Sequence, residues 1–264
     1  MMQALRGMST RAATPPLTAA SPAAGDDPMQ LVLFDNATVE AFGARCLDGT
    51  PSGYYVREGA EKENFAIYLQ GGGLCVEPVD CHERAKGNLG SSANWGQTHV
   101  DSNNILSTDA TNPFANWTHV FVPYGSGDVY IGTQKHRNAD GLFFAGHNTM
   151  EAIVSHLLNT TALRSAKRVL LSGGSAGGIG TFQNADWMGA ALRDAGAPGD
   201  LVFRAAPQAG GFFVGSDVVL FAEFEAGRQN LGAEDGFQRY EIGRVRTGCL
   251  VLVEKVLCLY TPFQ

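Results

Sequence analysis

Arg168-Val-Leu-Leu-Ser-Gly-Gly-Ser175-Ala-Gly-Gly178 sets an apolar strand pattern directly against a Gly-x-Ser-x-Gly turn. A helical pattern then runs from Ile179 to Ala195 and closes at Gly196, a C-capping glycine. Strand, sharp turn and helix in that order hold a serine hydroxyl away from the backbone. The flanking Gly173 and Gly177 suit such an elbow, because a Cβ at either place would strike the chain that presents Ser175. The motif by itself decides little, since with 33 glycines it arises by chance roughly 0.2 times in a chain of this composition.

The surrounding sequence supplies the context. Leu31-Val-Leu-Phe34, Tyr54-Tyr-Val56, Phe65-Ala-Ile-Tyr-Leu69, Trp117-Thr-His-Val-Phe-Val122 and Leu201-Val-Phe-Arg-Ala-Ala206 read as further strands. Helices are expected over 80–89, 143–158 and 217–230, and 91–112 reads as a polar surface excursion. Strands and helices alternate through the middle of the chain, the pattern of a mostly parallel sheet flanked by helices. The strand ending at Leu69 runs into Gly71-Gly-Gly73, whose N–H groups suit the stabilisation of an oxyanion. Ala176, following Ser175, offers another.

A net charge of -7 and the lack of a Lys/Arg cluster argue against a nucleic-acid partner. No window approaches 18 consecutive apolar residues, so no membrane span is expected. The glycine turns lack the following Lys of a phosphate loop, and no cofactor or metal is expected. Of the five cysteines, Cys75 and Cys81 are the expected disulfide, with buried free thiols and zinc as alternatives. A zinc site would want a second Cys/His pair, and His82 alone does not provide one. Residues 1–28, rich in Ala, Pro, Ser and Thr, read as a disordered or targeting segment with no clear signal peptide.

Four segments in order resemble the pectin acetylesterase and Notum carboxylesterase family. They are Cys46-Leu-Asp-Gly-Thr-Pro-Ser-Gly-Tyr-Tyr55, Leu69-Gln-Gly-Gly-Gly-Leu-Cys75, Phe121-Val-Pro-Tyr-Gly-Ser-Gly-Asp128 and Leu171-Ser-Gly-Gly-Ser-Ala-Gly-Gly178. The resemblance implies an α/β-hydrolase-like fold, a Ser-His-Asp triad, hydrolysis of O-acyl esters, and secretion. It assigns Ser175 as nucleophile, with Gly72, Gly73 and Ala176 as oxyanion donors, and an acylated polysaccharide such as pectin or an acylated protein as substrate. A monomer is expected.

The departures are specific. Gly125 stands where family members often carry a cysteine, which leaves Cys46 without that partner, and Gln70 replaces a commonly acidic residue. All six histidines, at 82, 99, 119, 136, 147 and 156, precede Ser175, whereas this fold places Asp and then His after the nucleophile. His119 and His147 are poor substitutes on chain order. Asp200 reads as part of a turn with Pro198-Gly199, Asp217 as a helix N-cap, and Asp128 as a structural support. The resulting expectation is a C-terminally incomplete hydrolase-like domain over 29–233 with a divergent tail over 234–264. The alternative is a pseudoenzyme that binds an acylated glycan or lipidated protein.

Overall fold

Phe65, Ala66, Ile67 and Leu69 are wholly buried because the strand that carries them, β3 (Glu61–Leu69), has a hydrogen-bonded neighbour on each side and a cover on each face. The computed structural model describes residues 27–101 and 104–210. Six further strands complete the sheet: β1 (Met29–Leu33), β2 (Gly53–Arg57), β4 (Thr98–His99), β5 (Trp117–Val122), β6 (Arg168–Gly174) and β7 (Val202–Gln208). Their spatial order is β4-β1-β2-β5-β3-β6-β7. The sheet is mixed. β5, β3, β6 and β7 run parallel, while β1 pairs antiparallel with β4 and β2, and β2 antiparallel with β5. With helices α1 (Asn36–Phe42), α2 (Pro78–Arg84), α3 (Gly146–Thr160) and α4 (Ala176–Asp194), this is an α/β-hydrolase-like architecture.

Alternation along the strands divides the core. Phe65, Ile67 and Leu69 of β3 and Val120 and Val122 of β5 pack with Met150, Ile153 and Leu157 of α3 and Met188 and Leu192 of α4. Ala66 and Phe121 point the other way, into a smaller cluster with Met29, Tyr55 and Leu106. The polar excursion over 91–112 is therefore more than a surface loop. Leu106 is buried, Trp95 and Ile105 pack on the smaller cluster, and Thr98–His99 adds the edge strand β4 to β1.

Other boundaries shift for local reasons. α2 begins at Pro78, whose fixed φ suits a first turn, and ends at Arg84 rather than continuing to 89. α3 starts at Gly146 because the residues before it form a buried strap, in which Phe143 N–H donates to Leu47 O (3.0 Å) and Gln134 N–H to Phe144 O (2.9 Å). α1, not expected from the sequence, is capped by Asp35, whose carboxylate accepts from Thr38 N–H (2.8 Å), and closes at Gly43 with φ 76°. The helix reading for 217–230 lies outside the described residues.

Cys75 and Cys81 form the expected disulfide, which ties the middle of α2 to the loop that follows β3. Cys46 is free and buried, and burial pushes its thiol up to about 12. A Cβ placed on Gly125 would lie 2.5 Å from Cys46 Sγ and 3.3 Å from its Cβ, so the two positions adjoin as a disulfide requires. Gly125→Cys should therefore consume the Cys46 thiol, seen by mass spectrometry. Closing a loop of about 80 residues should raise the unfolding free energy by up to about 4 kcal/mol in chemical denaturation. Under reducing conditions the same variant should be less stable than wild type, because the added atoms then collide with Cys46.

Candidate active site

Residues Leu69 and Gly173 are register partners at the carboxyl ends of β3 and β6. The strand order reverses here, since the later parallel strands β5 and β6 flank β3 on opposite sides, and open α/β sheets gather their ligands at such a switch point. β3 leads into Gly71–Gly73 and β6 into Ser175, so adjacent strand ends deliver both candidate elements to one place.

Ser175 occupies φ 54°, ψ −117°, a conformation costly for a residue with a side chain, on the order of 1–3 kcal/mol. Its N–H donates to Gln208 O (2.9 Å) and its carbonyl accepts from Ile179 N–H (3.0 Å), which fasten the turn to β7 and to α4. The side chain is exposed, and its hydroxyl makes no hydrogen bond among the described residues. Ala176, buried at the first position of α4, presents an N–H that the helix itself does not use, at the positive end of the helix dipole.

Glycine is required around this turn because backbones touch. A Cβ on Gly177 would run into Leu69 O, and one on Gly173 would lie 2.8 Å from Leu69 O and closer still to Gly177 O. A Cβ on Gly71 would collide with Gly174 O and sit 3.2 Å from Ser175 Cβ, so the glycine loop lies against the elbow. Gly72 (φ 151°) and Gly73 (φ 76°) continue that loop in conformations that L side chains rarely adopt. Gly71 thus sits against the Ser175–Ala176 elbow at one rim, Gly72 and Gly73 follow it in the loop, and Gly173 and Gly177 lie beneath.

A buried loop after β5 supports that rim. Asp128, with no exposed surface, accepts from Ser126 Oγ (2.5 Å), Tyr130 N–H (3.0 Å), Gly132 N–H (3.2 Å) and Gly146 N–H (2.7 Å). Burial raises its pKa and the four hydrogen bonds oppose the rise. Val129 and Tyr130 are held at positive φ, 51° and 63°. Tyr130 OH then reaches Gln70 O (2.9 Å) and Val122 O (3.2 Å), and Gln70 Oε1 accepts from Tyr124 N–H (2.8 Å). A glutamine keeps the acceptor that a carboxylate would supply there, without adding a second charge near Asp128.

The histidines are engaged elsewhere or lie at the surface. His119 Nδ1 meets Arg57 Nη2 and its Nε2 meets Phe114 O, both at 2.7 Å, and burial lowers its pKa, so it is a neutral structural group. His147 bonds Asn184 Oδ1 (2.8 Å), His156 bonds Tyr54 OH (2.7 Å), and His99 stacks on Phe121 at 3.9 Å. His82 and His136 are exposed. Among the described residues no imidazole hydrogen-bonds Ser175.

A family model described as pectinacetylesterase matches residues 23–262 of this chain. The chain belongs to the pectinacetylesterase family. It is 34% identical over 174 residues to the palmitoleoyl-protein carboxylesterase notum1a of Danio rerio, covering 65% of this chain and 34% of that protein. It is 38% identical over 151 residues to pectin acetylesterase 4 of Arabidopsis thaliana, covering 55% and 36%. The palmitoleoyl-protein carboxylesterase NOTUM of Homo sapiens is 33% identical over 156 residues, covering 58% and 31%. The chain thus spans about a third of the length of these curated relatives. Among the described residues of this pectinacetylesterase-family chain, no helix is long and apolar enough to cross a membrane.

The contact between α4 and β3 can be tested directly. Gly177→Ala should cost more than about 3 kcal/mol in thermal or chemical denaturation, because neither the helix backbone nor the strand carbonyl can yield. Gly199→Ala, where a Cβ meets nothing within 4 Å, should be near neutral in the same measurement.

Proposed function

We propose that the protein acts as a serine carboxylic ester hydrolase that removes O-acyl groups, with acetyl groups on a polysaccharide such as pectin as its substrate. The carrying observation is the exposed Ser175 hydroxyl on a strained elbow, with a glycine loop packed against it at a switch point. In this reading Ser175 Oγ attacks the acyl carbonyl and forms a tetrahedral oxyanion. The N–H groups of Gly72, Gly73 and Ala176 receive its charge, the alcohol leaves, and water cleaves the acyl-enzyme. The names of the relatives support both acetylated pectin and palmitoleoylated protein as substrate classes.

The Cys75–Cys81 disulfide supports an oxidising, extracytoplasmic compartment for the protein. The hydrolase-like unit is assigned to 29–233, with 234–264 as a separate tail.

A general base must take the Ser175 proton, and its loss in comparable triads costs about 10⁴-fold or more in rate. That no described imidazole reaches Ser175 favours a second reading, in which the fold binds an acylated glycan or lipidated protein without turnover. Incubation with a fluorophosphonate probe and release of acetate from acetylated pectin separate the two. Hydrolysis predicts a single adduct on Ser175 and turnover abolished in Ser175→Ala. Saturable binding of acetylated pectin with neither adduct nor acetate release would establish the second reading and overturn the first.

A further inference from the structure

We infer that Arg84 is a positioning residue that fixes the orientation of the Gly72–Gly73 peptide, and with it the direction of the Gly73 N–H. The inference rests on the oxyanion reading of the glycine loop given above. Arg84 lies at the last position of α2 and is partly buried. Its Nη2 donates to Gly72 O (2.6 Å), its Nε donates to Leu89 O (3.1 Å), and its guanidinium lies 4.9 Å from the centre of the Tyr124 ring. It forms no salt bridge with an acid among the described residues, so the hydrogen bonds of its charged head go to two carbonyls.

The consequence follows from peptide geometry. The Gly72–Gly73 peptide is trans, so Gly72 O and Gly73 N–H point in opposite directions from one plane. Holding Gly72 O on Arg84 points the N–H of Gly73 away from Arg84, and a Cβ on Gly73 would meet nothing within 4 Å, so there is open space beside that residue. Between two glycines nothing steric opposes rotation of that peptide. If it turned over, a carbonyl oxygen would stand where the oxyanion needs a donor, and attraction would become repulsion. A charge-assisted bond to one carbonyl resists that turn, and the second bond to Leu89 O fixes the plane of the guanidinium that makes it.

The remaining contacts keep Arg84 in place. Cys75, two residues beyond Gly73, is bonded to Cys81, one turn before Arg84, so the loop and α2 move as a unit. Cys75 N–H donates to Gly127 O (3.1 Å), and a Cβ on Gly127 would lie 3.3 Å from Arg84 Cδ, which brings the loop after β5 against the same side chain.

The test compares wild type with Arg84→Met and Arg84→Lys by two readouts. One is the second-order rate of fluorophosphonate labelling at Ser175. The other is the Gly73 amide signal in protein labelled with ¹⁵N-glycine. Losing one oxyanion donor costs about 10²–10³-fold, so Arg84→Met should label about 100-fold more slowly, and its Gly73 signal should broaden or double while the melting temperature changes little. Arg84→Lys keeps the charge but cannot hold Gly72 and Leu89 together, and should fall between the two. If wild type labels and Arg84→Met labels equally fast with a single, unshifted Gly73 signal, the inference is overturned while the oxyanion reading stands. If wild type does not label, that reading fails, and the Gly73 amide alone decides: perturbed in Arg84→Met it supports the inference, unperturbed it overturns it. Should Arg84→Met not fold, Arg84→Lys decides in the same way, with both readouts unchanged counting against the inference.

Discussion

The first turn of α4 lies directly against the end of β3, backbone on backbone, and the geometry of the rim follows from that contact. A helix that packs on a strand through ordinary side chains stands about 10 Å away from it. Here Gly177 brings the helix start up to Leu69 O, and Gly173 lets β6 pass beneath. Ser175, between those glycines, has no room for a relaxed turn and takes φ 54° instead. Its strain is offset by a hydrogen bond from its N–H to Gln208 and by continuous packing of α4 on the sheet. The same approach places Gly71 against Ser175, so the serine elbow and the glycine loop are set relative to each other by main-chain contacts rather than by adaptable side chains.

Around that contact the molecule keeps few charges and uses each for alignment. Asp128 has four donors and no exposed surface, and they force a β-branched residue, Val129, into a left-handed conformation that it would not adopt alone. The gain is the placement of Tyr130, whose hydroxyl holds the carbonyls of Gln70 and Val122 at the ends of β3 and β5. Burial pushes the hydroxyls of Tyr124 and Tyr130 up, so both stay neutral donors across the working range of pH. Asp128 belongs to this scaffold: among the described residues its carboxylate accepts from Ser126, Tyr130, Gly132 and Gly146.

Much of the centre is legible in the sequence, because close backbone approach leaves a compositional trace. Gly71–Gly73 after one strand and the glycines around Ser175 after another mark where chains touch, and Cys75 and Cys81 close as their spacing suggests. The rest is hidden for identifiable reasons. α1 is seven residues long and buries only Val39, too little for a periodic pattern, although Asp35 and Gly43 mark both its ends. The excursion over 91–112 looks polar because a few residues, Trp95, Ile105 and Leu106, do its packing. Nothing local in Val129-Tyr130 forecasts a positive φ, since tertiary hydrogen bonds impose it. The role of Arg84 is equally invisible, because its partners are carbonyl oxygens, and any residue type supplies those.

The proposed ester hydrolysis depends on one arrangement: Ser175 Oγ facing N–H groups from two strand ends at once. A crystal structure of the protein reacted with a small phosphonate tests it most directly, since the adduct reproduces the tetrahedral oxyanion. The proposed chemistry predicts phosphorus bonded to Ser175 Oγ, with the phosphoryl oxygen about 2.7–3.1 Å from the amide nitrogens of both Gly73 and Ala176. An adduct on another residue, or a phosphoryl oxygen on Ser175 turned to solvent away from both amides, would contradict it.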